Sequence, residues 1–167
     1  MLSFDIRSLR DRAASVDADI DPDDPVWQPG DPRPAGPVRV SGRLSAAGPG
    51  RFYWHGRIEG QVALECRRCL GDATADVRDE VHLIFAEDGD PDDPDVYQID
   101  ANARELDLRP AIREQWLLDA PSYGLCRPDC KGLCPSCGTD LNAGDCDCAP
   151  VTQSAWDALR KHRSEPR

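Results

Sequence analysis

The sequence lacks several features that would place it in a common structural class. No apolar run is long enough to cross a bilayer. Residues 1–12 have neither the apolar core nor the small-residue cleavage site of a secretory signal. We therefore predict a cytoplasmic protein with no membrane partner. Aromatic residues make up only 6% of the chain, which also has 15 prolines and 13 glycines. This balance predicts a lean core and a large share of loops and turns.

Familiar catalytic patterns are also missing. The sequence has no phosphate-binding glycine loop and no nucleophile elbow. Its three histidines, His55, His82 and His162, are scattered, and we interpret each as an ordinary surface or half-buried residue. Because no histidine and carboxylate arrangement offers a general base, we predict that the protein is not an enzyme. We infer no small-molecule substrate.

Positive charge is scarce. The chain has 20 Lys and Arg against 31 Asp and Glu, which gives a formal net charge of −11. Phosphate backbones are bound by concentrated Lys and Arg, so a broad nucleic-acid footprint is disfavoured. Two acidic runs, at 17–24 and 87–95, are interleaved with proline or glycine and predict solvated loops. Residues 122–167 are charge-balanced, which leaves a local basic surface open.

Hydrophobic alternation predicts a β-sheet in the middle of the chain. Residues 16–37 are predicted as loop, since prolines recur there among aspartates and glycines. Apolar residues then alternate with polar ones from Val38, and Gly60 is interpreted as a bulge. A tight turn is expected at 66–69. The strands are predicted at 38–44, 51–58, 61–65, 73–86 and 96–99.

One helix is predicted after the sheet. Asp107 is its expected N-cap, Pro110 is tolerated in its first turn, and it ends near Asp119. A second, shorter helix is expected at 154–161. The fold class is α+β: a mostly antiparallel β-sheet or partly closed barrel, one packing helix and a C-terminal zinc-knuckle or zinc-ribbon tail. The predicted segments are 1–37 (variable, loop-rich), 38–121 (sheet core with helix), 122–150 (cysteine-rich, zinc-binding) and 151–167 (short helix and tail).

The eight cysteines carry the strongest functional signal. A reducing compartment disfavours disulfides, and two thiolates separated by two residues can hold one tetrahedral ion. We predict one or two zinc ions in a structural role, because thiolates saturate such sites and leave no open position for chemistry. The predicted metal ligands fall in four pairs: Cys66-x2-Cys69, Cys126-x3-Cys130, Cys134-x2-Cys137 and Cys146-x-Cys148.

Spacing alone leaves open which pairs share an ion. In the preferred assignment the loop after Cys137 is short enough to close a site from Cys134, Cys137, Cys146 and Cys148. The second ion would then fasten the tail to the sheet through Cys66, Cys69, Cys126 and Cys130. The alternative is a single site drawn wholly from the tail, with Cys66 and Cys69 free. A disulfide scaffold, a redox-active Cys66-x2-Cys69 and a rubredoxin-like iron site are further alternatives.

The tail motif is long and specific. It reads CRPDCKGLCPSCGTDLN from Cys126 to Asn142 and ends in Cys146-Asp-Cys148. With the upstream LECRRCL from Leu64 to Leu70, it resembles the YceD family, proteins linked to accumulation of large-subunit ribosomal RNA. The resemblance covers roughly residues 36–163. It departs at 151–154, where Val-Thr-Gln-Ser replaces the family's Asp-Pro-Arg.

The resemblance implies a non-enzymatic factor in large ribosomal subunit biogenesis and 23S rRNA accumulation. Its partner would be large-subunit ribosomal RNA or a ribosomal or assembly protein. A zinc-stabilised interaction adaptor without a ribosomal role and an iron-binding electron-transfer protein are the alternatives. Beside the cysteines stand four candidate nucleic-acid-binding residues, which could instead be solvated or paired with local acids: Arg67, Arg68, Arg127 and Lys131.

Overall fold

The computed structural model describes residues 1–89, 93, 96–100 and 102–148. The helix predicted at 154–161 lies outside the described residues. Neither described helix has the length and apolarity that a membrane crossing requires. In chain order the elements are β1 (Ser3–Asp5), α1 (Ile6–Asp11), β2 (Ala14–Ile20), β3 (Val38–Gly48), β4 (Arg51–Glu65), β5 (Asp72–Ala86), β6 (Val96–Gln98), β7 (Glu105–Asp107) and α2 (Arg109–Asp119).

One five-stranded sheet, in the order β2-β3-β4-β5-β6, dominates the fold. Its strands are antiparallel except β6, which pairs parallel to β5. Strands β1 and β7 form a separate antiparallel pair. The α+β class with a mostly antiparallel sheet is thus confirmed. The sheet is not a closed barrel, because β2 and β6 are the two ends of its strand order, and its apolar face is covered by the helices.

The core lies on one face of the long β4–β5 hairpin. Phe52, Trp54 and Ile58 of β4 are fully buried, as the alternation predicted. The two helices cover this face with Leu9 from α1 and Trp116 from α2, both part of the same buried cluster. The opposite face of the hairpin carries polar side chains, most of them exposed. The sheet is therefore amphipathic, with one face buried and the other in water.

Close packing explains two glycines in β4. The bulge predicted at Gly60 is wrong, because Gly60 pairs with Val77 in unbroken register. A Cβ at Gly60 would lie 3.0 Å from the Trp116 ring. A Cβ at Gly56 would lie 2.2 Å from the Ser41 carbonyl oxygen. Glycine therefore allows neighbouring groups to lie directly against the backbone.

The N-terminal segment contributes a strand where a loop was predicted. Residues 16–20 belong to β2, which pairs with β3 from Ala14–Leu44 to Ile20–Val38. Val16 and Ile20 are buried, whereas the intervening aspartates are exposed. The acidic run is thus the solvent face of an edge strand. Residues 21–37 are irregular, as predicted, and the proposed segment boundaries stay predictions.

Helix α2 begins one residue later than predicted. Leu108 is its N-cap and makes no side-chain capping bond, while Pro110 lies in the first turn. The Asp107 carboxylate still accepts a 3.0 Å hydrogen bond from the backbone N–H of Arg109. The helix ends at Asp119, as predicted, and buries Ile112 and Trp116.

Candidate metal centre

The turn of the β4–β5 hairpin carries the first cysteine pair. β4 ends at Glu65 and β5 begins at Asp72, so Cys66 and Cys69 lie in the connection between them. Leu70 adopts a left-handed φ of 59°, and its N–H donates to the Cys66 carbonyl at 2.9 Å. The predicted tight turn is thus confirmed, and it presents both thiols at the end of the sheet.

The tail docks on this turn through its backbone. Gly124 forms a parallel bridge with Cys66 and accepts a 3.0 Å hydrogen bond from the N–H of Arg67. Further along, the N–H of Leu133 donates to the Arg68 carbonyl at 2.9 Å. The Arg68 guanidinium donates to the Cys130 carbonyl at 2.7 Å. These contacts carry the tail cysteines to the hairpin.

Four sulfur atoms meet at this junction, which we name the sheet–tail quartet. Their ligand atoms all lie within 4.8 Å of one another. The Sγ atoms of Cys66 and Cys130 are 3.8 Å apart, and those of Cys69 and Cys126 are 3.7 Å apart. Four thiolates at 2.3 Å from a tetrahedral ion would be separated by about 3.8 Å. The quartet consists of Cys66, Cys69, Cys126 and Cys130.

The other four cysteines form a second group, the tail quartet. Their ligand atoms also lie within 4.8 Å of one another. Gly138, with φ 75°, closes the first knuckle by donating its N–H to the Cys134 carbonyl at 2.9 Å. The N–H of Ser136 lies 3.4 Å from the Cys134 sulfur, which is the hydrogen bonding expected around a metal-bound thiolate. The members are Cys134, Cys137, Cys146 and Cys148.

Asn142 connects the two quartets. Its amide nitrogen lies 3.5 Å from the Cys130 sulfur, and its amide oxygen accepts 2.8 Å hydrogen bonds from the N–H of Lys131 and the Arg127 guanidinium. Asn142 lies within the tail motif, and the sequence alone predicts no role for it. Because Asn142 follows a tail-quartet knuckle in the chain, its contacts link this knuckle to the sheet–tail quartet.

Both quartets fit a tetrahedral metal ion. All eight cysteines are free, and the sulfur separations far exceed the roughly 2.05 Å of a disulfide. The donor set is purely thiolate, which suits zinc and also iron. The preferred sequence assignment predicted this grouping, and the structure brings the cysteines together in that way. Metal binding itself stays a prediction.

The thiols of the sheet–tail quartet have unequal proton affinities. Hydrogen bonds from backbone N–H groups lower the pKa of Cys66 to about 6, and the N–H of Cys126 has the largest effect. The pKa of Cys126 is raised to about 12, mainly by burial and to a smaller extent by the Cys130 thiol. For Cys69, the Gly71 N–H lowers the pKa, but the neighbouring thiols and burial outweigh it, so the pKa is raised.

The tail quartet repeats this pattern. The pKa of Cys137 is lowered to about 6, mainly by the Thr139 hydroxyl, which lies 3.2 Å from the Cys137 sulfur. The Thr139 N–H makes a smaller contribution. The Cys137 thiol and then burial raise the pKa of Cys148 to about 12. The pKa of Cys146 is raised too, because the other thiols outweigh the N–H of Cys148, which lowers it. Each metal-free quartet thus has two thiols that stay protonated at neutral pH.

Metal binding is therefore expected to release protons. A thiol must lose its proton to bind an ion, and two thiols in each quartet have a raised pKa. We expect at least two protons released per ion near neutral pH, and an apparent affinity that falls as the pH falls. Calorimetric zinc titrations in two buffers with different ionisation enthalpies give the count. Release of fewer than two protons per ion would contradict it.

The structure separates the four candidate nucleic-acid-binding residues into two kinds. The Arg68 guanidinium donates hydrogen bonds to tail carbonyls. Arg127 contacts Asn142 and lies 3.5 Å from Asp129. The side chains of Arg67 and Lys131 are exposed, with no ion pair or side-chain hydrogen bond in the described part of the chain. Nucleic-acid binding by any of the four stays a prediction.

Comparison with known proteins matches this chain to a protein family. The family model described as "Large ribosomal RNA subunit accumulation protein YceD" matches residues 54–161. The Zea mays protein "Large ribosomal RNA subunit accumulation protein YCED homolog 1, chloroplastic" is 27% identical over 159 residues, covering 77% of this chain and 54% of that protein. Uncharacterized proteins of Mycobacterium bovis and Mycobacterium tuberculosis are 30% identical over 89 residues, covering 52% of this chain and 43% of theirs.

The chain spans about half the length of the curated relatives it matches. No solved structure matches it. The region matched by the family model contains all eight cysteines and both long strands of the hairpin from Trp54 onward. Because this region is more than half of the chain, the protein belongs to the YceD family.

Proposed function

We propose that this protein is a non-enzymatic factor in large ribosomal subunit biogenesis and supports accumulation of 23S rRNA in the cytoplasm. The family is named for large ribosomal RNA accumulation, which is the observation that carries the ribosomal role. The maize relative's name places that protein in the chloroplast. The role proposed for the chain is that of a binding module whose shape depends on metal.

We further propose that the metal is zinc, with one ion in each quartet. Zinc would supply a tetrahedral cross-link without redox chemistry. Four thiolates would fill its coordination in both places, which is typical of a structural site. The sheet–tail quartet would hold the tail on the hairpin, and the tail quartet would hold the tail's own loop closed.

Metal analysis of the purified protein tests this directly. Two zinc ions per chain are expected, and the Cys66→Ser and Cys148→Ser variants are each expected to retain one. Iron in place of zinc, visible as a red colour, would favour the electron-transfer alternative. One ion per wild-type chain would contradict the two-site proposal.

Charge favours a basic protein as the partner. The net charge of −11 opposes the approach of a phosphate backbone. Several arginines are already paired with carboxylates, including Arg39 with Asp17 at 2.8 Å and Arg113 with Asp31 at 2.7 Å. A ribosomal or assembly protein rich in Lys and Arg would be attracted by the remaining acidic surface. We therefore favour such a protein over RNA as the direct contact.

Direct RNA binding is the second candidate, and Arg67 and Lys131 support it. Both are exposed beside the sheet–tail quartet, without a side-chain partner among the described residues. An RNA contact there would be strongly salt-dependent. Each phosphate contact adds about 0.7–0.9 to the slope with which log K falls as log salt concentration rises. The Arg67→Ala/Lys131→Ala double variant would then lower the slope, whereas Arg78→Ala, an exposed arginine on β5, would leave it unchanged.

A pull-down with zinc-loaded protein separates the two partners. Recovery of ribosomal proteins that survives nuclease treatment supports the protein partner. Recovery that is lost on nuclease treatment, and that weakens in the double variant, supports RNA. The ribosomal role itself is tested by sedimentation of lysate from growing cells. If the protein stays at the top of the gradient instead of sedimenting with large-subunit precursors, the ribosomal role is contradicted. The alternative function, an interaction adaptor without a ribosomal role, is then favoured.

A further inference from the structure

A third group of metal-type ligands lies on the polar face of the sheet, and we name it the histidine cluster. His55 on β4 is directly opposite His82 on β5 in the strand register. Glu80 precedes His82 by two residues and therefore shares its face. One ligand atom from each of the three lies within 4.8 Å of the others. Both histidines were expected to be ordinary surface or half-buried residues, whereas the fold brings them together.

The cluster is separate from the cysteines. The His55–His82 pair lies ten residue pairs along the hairpin from Glu65–Asp72, which adjoins the cysteine turn. At the usual rise per residue this is roughly 33 Å. The histidine cluster is therefore an independent site, and its existence does not rest on the proposed ribosomal function.

The hairpin holds the two imidazole rings side by side. Their centroids are 4.4 Å apart and their planes differ by 10°. The Oε1 atom of Glu80 lies 2.8 Å from Nε2 of His55, so a hydrogen bond joins two of the ligand atoms. The side chains of His55 and Glu80 are 46% and 53% exposed, so an ion can reach the cluster from solvent.

Neighbouring residues orient two of the ligands. The Tyr53 hydroxyl lies 2.5 Å from Nδ1 of His82. When this nitrogen donates to Tyr53, Nε2 of His82 presents its lone pair, which is the usual arrangement around a metal-binding histidine. The Arg57 guanidinium lies 3.8 Å from Oε2 of Glu80 and leaves Oε1 toward the rings. The cluster thus has outer contacts as well as ligands.

We propose that His55, Glu80 and His82 bind a third metal ion, a divalent transition metal such as Ni²⁺, Cu²⁺ or Zn²⁺. Two imidazoles and one carboxylate suit these ions and disfavour Mg²⁺ and Ca²⁺, which take oxygen ligands. Three protein ligands at an exposed position leave coordination sites for water or an incoming group. The ion is therefore exchangeable, in contrast to an ion enclosed by four thiolates.

The test uses the full chain with both quartets loaded with zinc. Weakly held metal is removed by dialysis, and Ni²⁺ binding is then measured by calorimetry, with metal analysis to show that the zinc stays bound. One Ni²⁺ per chain is expected. His55→Ala and His82→Ala should each weaken binding at least 100-fold, and Tyr53→Phe, which removes an outer contact, by about tenfold. An exposed ion pair contributes only about 0–1 kcal/mol to stability, so these variants should fold.

Two matched variants control for charge and for histidine number. Glu59→Gln removes a carboxylate from the same face of β4, and His162→Ala removes the remaining histidine. Both should bind Ni²⁺ as the wild type does. Paramagnetic broadening of the histidine proton resonances of His55 and His82, and not of His162, gives a second readout. The proposal is overturned if the zinc-loaded wild type binds no further ion, or if both histidine variants bind Ni²⁺ with unchanged affinity.

Discussion

Removing the two zinc ions that we propose is expected to release residues 122–148 from the sheet while the sheet itself stays folded. The buried residues of the main cluster all lie between Leu2 and Trp116, and none of the described tail residues 122–148 belongs to it. The buried cluster where the tail meets the hairpin consists of Cys66, Ala73 and Cys130, with a few half-buried neighbours. Such a small apolar contact cannot offset the entropy of ordering the tail. We therefore expect metal ligation to supply the difference.

The expected effect is large because structural zinc contributes about 10–16 kcal/mol in zinc-finger peptides near neutral pH. Hydrogen exchange before and after chelation measures it. The N–H groups of Leu133, Cys134 and Leu141 donate to backbone carbonyls in the docked tail and should lose protection. Amides of Trp54 and Val81, within the hairpin, should keep theirs. Trypsin should then cleave after Lys131, which lies in the docked segment.

Two cysteine variants separate the contributions of the quartets. Cys66→Ser should free the whole tail, because the sheet–tail quartet is the one that joins it to the hairpin. Cys148→Ser should loosen only the loop after Cys134 and leave Arg68 bonded to the Cys130 carbonyl. Added zinc should restore protection in the chelated wild type. Retained resistance at Lys131 without metal would show that packing alone holds the tail.

The hairpin and the cysteine grouping could be predicted because their signals are local. Alternation along β4 and β5 identified the buried face, and the Cys66-x2-Cys69 pair falls in the turn that this alternation defines. The preferred assignment let this pair share an ion with Cys126 and Cys130, and the alternative left it free. The structure groups Cys66 and Cys69 with Cys126 and Cys130, as in the preferred assignment.

The features that were missed depend on contacts between distant parts of the chain. Strand β2 was hidden because the exposed side of an edge strand is acidic here, and Asp17 and Asp19 resemble a loop when read alone. His55 and His82 are adjacent only through the register of β4 and β5, which no spacing rule supplies. The hydrogen bond from Arg68 to the Cys130 carbonyl likewise forms only when the tail is docked.

Replacing Trp116 by alanine is expected to destabilise the sheet more than any other single change in α2. Trp116 is fully buried, its indole N–H donates to the Pro32 carbonyl at 2.8 Å, and its ring lies 5.8 Å from the Trp27 ring between centroids. It also covers Gly60 of β4. Loss of a buried tryptophan costs about 3–5 kcal/mol, through lost burial and the cavity left behind. Here the Pro32 carbonyl would lose its partner as well.

Urea unfolding of the zinc-loaded protein, followed by far-ultraviolet circular dichroism at fixed free zinc, measures this loss. Leu118→Ala is the matched control, because Leu118 lies two residues away in α2 and is 71% exposed. It should change the free energy of unfolding by no more than about 0.5 kcal/mol. Trp116→Phe keeps a ring over Gly60 and removes the indole donor, so it should fall between the two. If Trp116→Ala unfolds at the same urea concentration as Leu118→Ala, α2 does not hold the apolar face of the sheet. The fold would then depend on α1 and the 21–37 loop for its cover.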